Sequence, residues 1–186
     1  MAEQGLKDWL KARVSPRRFL HSLGVRETVA ELARRHGADA EPLMTAALLH
    51  DCARELSGGE MLSRAAEWGV PIRDVDRESP VLLHGRLAVE IAGRELGIDD
   101  PRIASAVLYH TAGHPDMSLP DKLFFLSDHI EPTRDFTWVG ELREVAREDV
   151  NRAMLLAVDI NLKHLRSTGK VIDPNTLELR DVLLDR

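Results

Sequence analysis

Histidines and aspartates fall on the apolar stripes of this chain rather than on its polar faces, and that placement is where chemistry can be read first. His21 shares a helical face with Val25, Val29 and Leu32, because residues three and four apart stack on one side of a helix. Leu43, Ala46, Ala47 and His50 form a second stripe, and Asp51 follows one position on, turned by about 100°. His84 heads the stripe Leu87, Ala88 and Ile91, and His110 ends the stripe Ile103, Ala106 and Val107. Asp128 follows Phe124 and Phe125 on the interior side of Leu123 to Ile130. A lone histidine on an apolar face is more often a hydrogen-bonded core residue than a ligand. Four imidazoles and two carboxylates in one small core are a different case. Each unpaired charge would cost several kcal/mol, against the roughly 5 to 15 kcal/mol that hold a domain together. Divalent metal ions supply the compensation. Nitrogen and oxygen donors suit iron, manganese, cobalt or zinc, and the absence of thiolates disfavours a purely structural zinc. The adjacent His50-Asp51 pair diverges, so the imidazole can serve one ion while the carboxylate bridges to a second.

Helices must position these groups. Apolar residues recur at three- and four-residue steps nearly throughout, with stop signals at short intervals. Ser15-Pro16 opens a helix that runs to about His36 and stops at Gly37. Ser57 to Glu60 is a capping box, and Gly69 closes that helix before Pro71. Asp100-Pro101 and Ser118-Leu-Pro120 start two more, and a long helix is predicted from about Gly140 to Ser167. A last amphipathic piece follows Gly169, near Leu177 to Leu184. The polar stretch Pro71 to Pro80 reads as an irregular loop that could be a lid. The expectation is an all-α fold, one domain over residues 1–186 with about eight or nine helices, a core at about 16–167 and a C-terminal helical extension at 170–186.

Composition narrows the function classes. With 186 residues, 44% hydrophobic and 30% charged, the chain can bury a core and is unlike a disordered segment. A net charge of -6 argues against a general nucleic-acid binder. It leaves room for a phosphate ligand, since metal ions and a few arginines can reverse the local potential. No run is apolar and long enough for a membrane helix, and Met1 to Trp9 lacks the pattern of a signal peptide. Cytoplasm is the expected address. Cys52, the single cysteine, excludes an internal disulfide and a multi-cysteine zinc site.

The order H…HD…H…H…D, with the pair written ALLHDCARE (Ala47 to Glu55), resembles the HD-domain metal-dependent phosphohydrolase superfamily. RRFLHSLGV (Arg17 to Val25), LLHGRLA (Leu82 to Ala88), YHTAGHPDMS (Tyr109 to Ser118) and DKLFFLSDHIEPTRDF (Asp121 to Phe136) are more specific. Together the five segments resemble its bacterial YqeK-type family, the symmetrical diadenosine tetraphosphate hydrolases, over about Arg17 to Leu184. The resemblance implies a di-iron centre and hydrolysis of diadenosine tetraphosphate to two ADP. It implies His21, His50, Asp51, His84, His110 and Asp128 as the metal ligands, with Asp51 bridging. Manganese or cobalt accept the same donors. The family often reads HDIAK after the pair, whereas this chain reads HDCAR. Cys52 is expected to pack as a small apolar residue, and Arg54 to keep the positive charge without the ammonium geometry.

A two-metal centre lets water attack a phosphoanhydride near neutral pH without a serine or cysteine nucleophile. Arg54, one helical turn past His50, is the first candidate for phosphate. Arg86, Lys122 and Arg134 are further candidates, with Arg17 and Arg18 behind them. For each, a solvated surface charge is the plain alternative. His114 follows His110 by four residues, but Gly113 and Pro115 break the helix between and after them, so it is read as a leaving-group or supporting contact in a loop. His129 is expected to be structural. Glu131 is expected either to orient a ligand or to lie exposed at a helix end. Tyr109 and Phe136 are the first positions to inspect for an adenine platform. Trp9 and the C-terminal helix could dock a partner, including a second copy of the chain, or complete the core. Rival readings are a phosphohydrolase of another nucleotide, a di-iron oxygenase, and a nucleotide-sensing module without turnover.

Overall fold

The computed structural model describes residues 3–185, so the terminal positions 1, 2 and 186 of the expected domain lie outside the described residues. Eleven α-helices are found among the described residues, with no strand: α1 (Glu3–Lys11), α2 (Pro16–His36), α3 (Ala40–Leu49), α4 (Gly58–Trp68), α5 (Asp74–Glu78), α6 (His84–Leu96), α7 (Pro101–Tyr109), α8 (Leu119–Ile130), α9 (Val139–Glu148), α10 (Val150–Ser167) and α11 (Pro174–Leu184). A short 3-10 turn, Pro80–Leu83, leads into α6. None of these helices is long and apolar enough to cross a membrane.

Local chemistry explains most of the boundaries. Ser15 accepts a hydrogen bond from the Arg18 amide and is followed by Pro16, while Gly37 ends α2 in the left-handed region at φ 71°. Reciprocal capping boxes open α4 at Ser57 and Glu60 and α8 at Ser118 and Asp121.

Two expectations are corrected here. The helix predicted from Gly140 to Ser167 is two helices, because Asp149 leaves helical geometry and its carboxylate caps α10 through the Arg152 amide. The added break and the short α5 raise the helix count above eight or nine. The stretch 71–80, expected to be irregular, holds α5 and is clamped. Asp76, fully buried, accepts from Arg73 at 2.8 to 3.1 Å and from Arg86 at 2.5 Å, and Arg73 also reaches Asp173 at 2.6 Å. That network ties α5 to α6 and to the cap of α11.

Two apolar clusters form the interior. One gathers α1, α2, α3, α4, α6 and α7 around Leu43, Leu49, Leu87 and Ile91, and the other gathers α8, α9, α10 and α11, with Leu32 of α2, around Leu126, Leu142, Met154 and Leu179. Helix α8 serves both, with Phe124 in the first and Phe125 in the second. Truncating either ring to alanine would cost about 3 to 5 kcal/mol. Phe124 also turns its ring edgewise to His50 and His110, at centroid distances of 5.8 and 6.4 Å, so the core packing directly supports the imidazoles. Cys52 packs in the first cluster, and burial pushes its thiol up to about 12, which makes it an unreactive apolar filler. Trp9 packs on the same cluster. Leu179 and Leu183 of α11 are buried in the second, so both terminal helices complete the interior.

Candidate metal centre

Four imidazoles and two carboxylates from α2, the end of α3, α6, the end of α7 and α8 converge beneath one cavity. His21, His50, Asp51, His84 and His110 are all buried. Asp51 is the hinge of the arrangement. Its Oδ2 faces His50 Nε2 at 3.4 Å and His21 Nε2 at 3.7 Å, while its Oδ1 faces His84 Nε2 at 3.3 Å and His110 Nε2 at 3.9 Å. Asp128 Oδ1 lies 3.0 Å from His21 Nε2. His21, His50 and Asp51 therefore make one group able to hold an ion, and Asp51, His84 and His110 make another.

The second ring nitrogen of each imidazole is anchored. His50, His84 and His110 donate Nδ1–H to the carbonyls of Ala47, Val81 and Val107, each three residues back. His21 donates Nδ1–H to Glu131 Oε1 at 3.0 Å. These bonds fix the tautomers and aim every Nε2 inward. The consequence tests whether the donor set fits a metal. His84 Nε2 and His110 Nε2 stand 2.9 Å apart, and His21 Nε2 and His50 Nε2 3.3 Å apart. At His84 and His110 two bare lone pairs would repel at that distance, so a positive centre belongs between them; between His21 and His50 a proton or a cation fills the same role. Divalent cations meet that demand with nitrogen and oxygen donors alone.

Electrostatics agree. Burial and the neighbouring His84 and His50 push His110 down to about 3, leaving it neutral and able to donate its lone pair. Burial also lowers His21, but the hydrogen bonds it donates to Asp128 and Glu131 more than offset this and bring it up to about 9. A cation at that Nε2 would displace a proton. Burial disfavours the charged forms of Asp51 and Asp128. The imidazoles beside Asp51, and His21 with Arg134 beside Asp128, nevertheless hold both carboxyls well below their usual range.

The structure sorts the other candidates. Arg54 lines the cavity and makes no ion pair with a described residue; burial pushes its guanidinium down, against the pull of Asp51. Arg134 lines it too, with Nη2 2.9 Å from Asp128 Oδ1. Arg18, ranked low from the sequence, reaches Asp51 Oδ2 at 2.5 Å. Three candidates are not brought to the cavity. Arg86 is spent on Asp76 and the Pro71 carbonyl. Lys122 is buried on α8, with Nζ 2.8 Å from Asn151 Oδ1 of α10. His114 stacks on Tyr109, with centroids 4.6 Å apart, in a loop turned by Gly113 at φ 73°. That stack also takes Tyr109 out of the cavity, so of the two aromatic positions only Phe136 lines it. His129 borders the cavity while its ring stacks on Phe125.

Glu131 is fully buried, not exposed at a helix end. Besides His21 it accepts from the Thr133 amide at 2.7 Å and the Thr133 hydroxyl at 2.5 Å. Room for it comes from Gly24, where a β-carbon would stand 2.5 Å from Glu131 Oε2. Thr111 and Asn161 were not legible as site residues. The Thr111 hydroxyl lies 3.2 Å from both His84 Nε2 and His110 Nε2; its one sequence signal is adjacency to His110. Asn161 lines the cavity from α10, and nothing in its local pattern marks it.

This convergence on an adjacent His-Asp pair within a helical fold is the signature of a family, and the HD domain model matches residues 18–133. The chain belongs to the HD domain family. Among relatives, it is 34% identical to the protein named "Bis(5'-nucleosyl)-tetraphosphatase, symmetrical" from Bacillus subtilis, over 90% of this chain and 89% of that one. It is 33% identical to the protein of the same name from Halalkalibacterium halodurans, over 94% of this chain and 93% of that one. A solved structure from Clostridium acetobutylicum, described as a "predicted HD superfamily hydrolase involved in NAD metabolism", superposes with a TM-score of 0.96 at 36% identity, covering 100% of this chain and 98% of that one.

Proposed function

We propose that this chain is a metal-dependent phosphohydrolase that cleaves diadenosine tetraphosphate symmetrically into two ADP, consuming one water. The observation that carries the reading is the Asp51 carboxylate, whose two oxygens each face a separate pair of histidines. His21, His50, Asp51 and Asp128 would hold one ion, and Asp51, His84 and His110 the other. Iron is the first expectation, with manganese or cobalt acceptable to the same donors. When bound, the pair of ions supplies Lewis acidity to the phosphoryl oxygens and to the attacking water.

The protein's own groups do the rest. The half-buried Arg54 guanidinium, in no ion pair among the described residues, supplies a fork of donors toward phosphate oxygens. Arg134 and Arg18, held beside Asp128 and Asp51, place two more positive charges where the anionic chain must pass. Attack at a central phosphorus forms the new P–O bond, breaks the anhydride between the two middle phosphates, and releases each half as ADP. The names of the two relatives support that substrate, and the matching coverage of both chains supports reading residues 1–186 as one domain with that activity.

Anaerobically purified, metal-analysed protein incubated with diadenosine tetraphosphate should release ADP alone. ATP plus AMP would overturn central cleavage. Asp51→Ala should abolish turnover and metal retention while leaving the far-ultraviolet circular dichroism helical. Arg54→Ala should lower kcat/KM by about 100-fold, the loss expected for a charge-assisted phosphate contact.

A further inference from the structure

The turn that follows α8 carries two of the groups that brace the metal centre, and a side chain outside the cavity holds that turn. Glu131 anchors His21 through Nδ1 at 3.0 Å. Three residues on, Arg134 folds back over the end of α8, donating from Nε to the Asp128 carbonyl and from Nη2 to Asp128 Oδ1, each at 2.9 Å. The Arg134 amide closes the turn on the Glu131 carbonyl at 3.0 Å. Residues 131–134 thus set the placement of His21 and Asp128, which are assigned to the same ion. They make no hydrogen bond or ion pair with His84 or His110, whose Nδ1 atoms are held by the carbonyls of Val81 and Val107.

Such a turn has few donors of its own. Carbonyls in the last turn of a helix lack intrahelical partners, and Pro132 has no N–H to offer. Arg143, from α9, meets that need. It donates from Nε to the Ile130 carbonyl at 2.8 Å, and from Nη2 to the carbonyls of Glu131 and Arg134 at 2.9 and 3.0 Å. One planar guanidinium therefore ties the end of α8 to both ends of the turn, a geometry that an ammonium on a flexible stem does not reproduce. Arg143 forms no ion pair with a described residue, so its charge is directed at the helix C-terminus, where the partial negative charge of the carbonyls gathers. Its helix is itself fixed, because Leu142 and Ala146 on either side are fully buried in the second apolar cluster. Arg143 does not line the metal cavity.

We propose that Arg143 is a positioning residue that acts through the turn 131–134 on one ion site alone, the one containing His21 and Asp128, and on the phosphate contact of Arg134. The inference rests on the two-ion phosphohydrolase reading above and makes the two sites unequal: one depends on how α9 docks against α8, and the other does not.

Titration calorimetry of metal-free, full-length protein with Mn2+ resolves the two sites, and the wild type should take up two ions per chain. Arg143→Ala should bind one ion as the wild type does and the other about 10- to 100-fold more weakly. In an Asp128→Ala background, which already lacks the affected site, adding Arg143→Ala should change the remaining affinity no further. At saturating Mn2+, Arg143→Ala should raise KM for diadenosine tetraphosphate by about 10-fold, the worth of one charge-assisted contact, and combining it with Arg134→Ala should raise KM no more than Arg134→Ala alone. Arg143→Lys, which keeps the charge and loses the fork, should show the same one-site pattern at smaller size, and it serves as the test if the alanine variant is unfolded at the assay temperature. Equal weakening of both ions, two wild-type affinities, or additive KM losses in the double variant would overturn the proposal. Wild-type protein that takes up fewer than two ions, or turns over no dinucleotide, would instead overturn the reading on which it rests, whatever the Arg143 variants do.

Discussion

Replacing Gly24 with alanine separates two opposing effects whose magnitudes can be worked out from the surroundings of α2. In an ordinary helix interior the change stabilises by about 1 kcal/mol, since alanine lowers the backbone entropy cost. At Gly24 the new β-carbon would stand 2.5 Å from Glu131 Oε2 and 3.3 Å from Pro132 Cδ. A flexible carboxylate could swing aside cheaply. This one is fully buried and held by His21 Nδ1, the Thr133 amide and the Thr133 hydroxyl. Moving it costs about 1.5 to 3 kcal/mol for each charge-assisted bond lost, or α2 must shift at an overpacking cost of about 1 to 3 kcal/mol. The net expectation is a destabilisation of about 1 to 3 kcal/mol, a fall in Tm of roughly 2 to 4 °C per kcal/mol. Metal affinity should fall by about 10- to 100-fold, because His21 loses the partner that orients it. Thermal unfolding of chelated protein and titration with Mn2+ measure the two effects. Gly140→Ala is the control: its β-carbon would meet nothing within 4 Å on α9, so Tm should hold or rise. If Gly24→Ala raises Tm alongside Gly140→Ala and binds metal like the wild type, the argued coupling of Gly24, Glu131 and His21 is wrong.

Metal binding should stabilise the fold, because the donors converge only in the folded chain. At a free ion concentration 100 times Kd the gain is about 2.7 kcal/mol, removed by a chelator; superimposable melts with and without metal would contradict it. Asp76 makes a pH prediction. Burial alone would raise its carboxyl, but hydrogen bonds from Arg73 and Arg86 outweigh that and hold it below its usual value. Its contribution is therefore complete above the unfolded value near 4 and is lost as pH falls through the lower folded value. Asp76→Asn should cost about 2 kcal/mol at pH 7 and flatten the acid limb of a stability-against-pH curve; an unchanged limb would refute the assignment. Arg86→Ala should lower Tm while leaving kcat/KM of the loaded enzyme within about twofold, opposite to Arg54→Ala. A matching loss of activity in both would place Arg86 at the substrate after all.

Histidines on apolar stripes were legible because side-chain direction on a helix follows from spacing alone, and His21, His50, His84 and His110 all point inward as their stripes require. Helix starts at Ser15, Ser57 and Ser118 were legible for the same local reason: a cap and the amides it satisfies lie within three residues. The break at Asp149 was hidden, since apolar residues continue on both sides and an aspartate can equally sit on a solvated face. Charged side chains were the least legible. Arg54 and Arg86 look alike in sequence, yet one faces the cavity with no ion pair among the described residues while the other is consumed by Asp76.

The chain's order of residues by itself determined the donor types, their inward aim and the helices that carry them, because each depends on neighbours a few positions away. Only the tertiary structure decided that Asp51 presents one oxygen to each histidine pair, that Glu131 is buried behind His21 in the space Gly24 leaves, and that Phe136 and Asn161 reach the same cavity. Those relations join residues up to 110 positions apart, and distance through the fold is set by how α2, α3, α6, α7 and α8 pack, which no local spacing encodes.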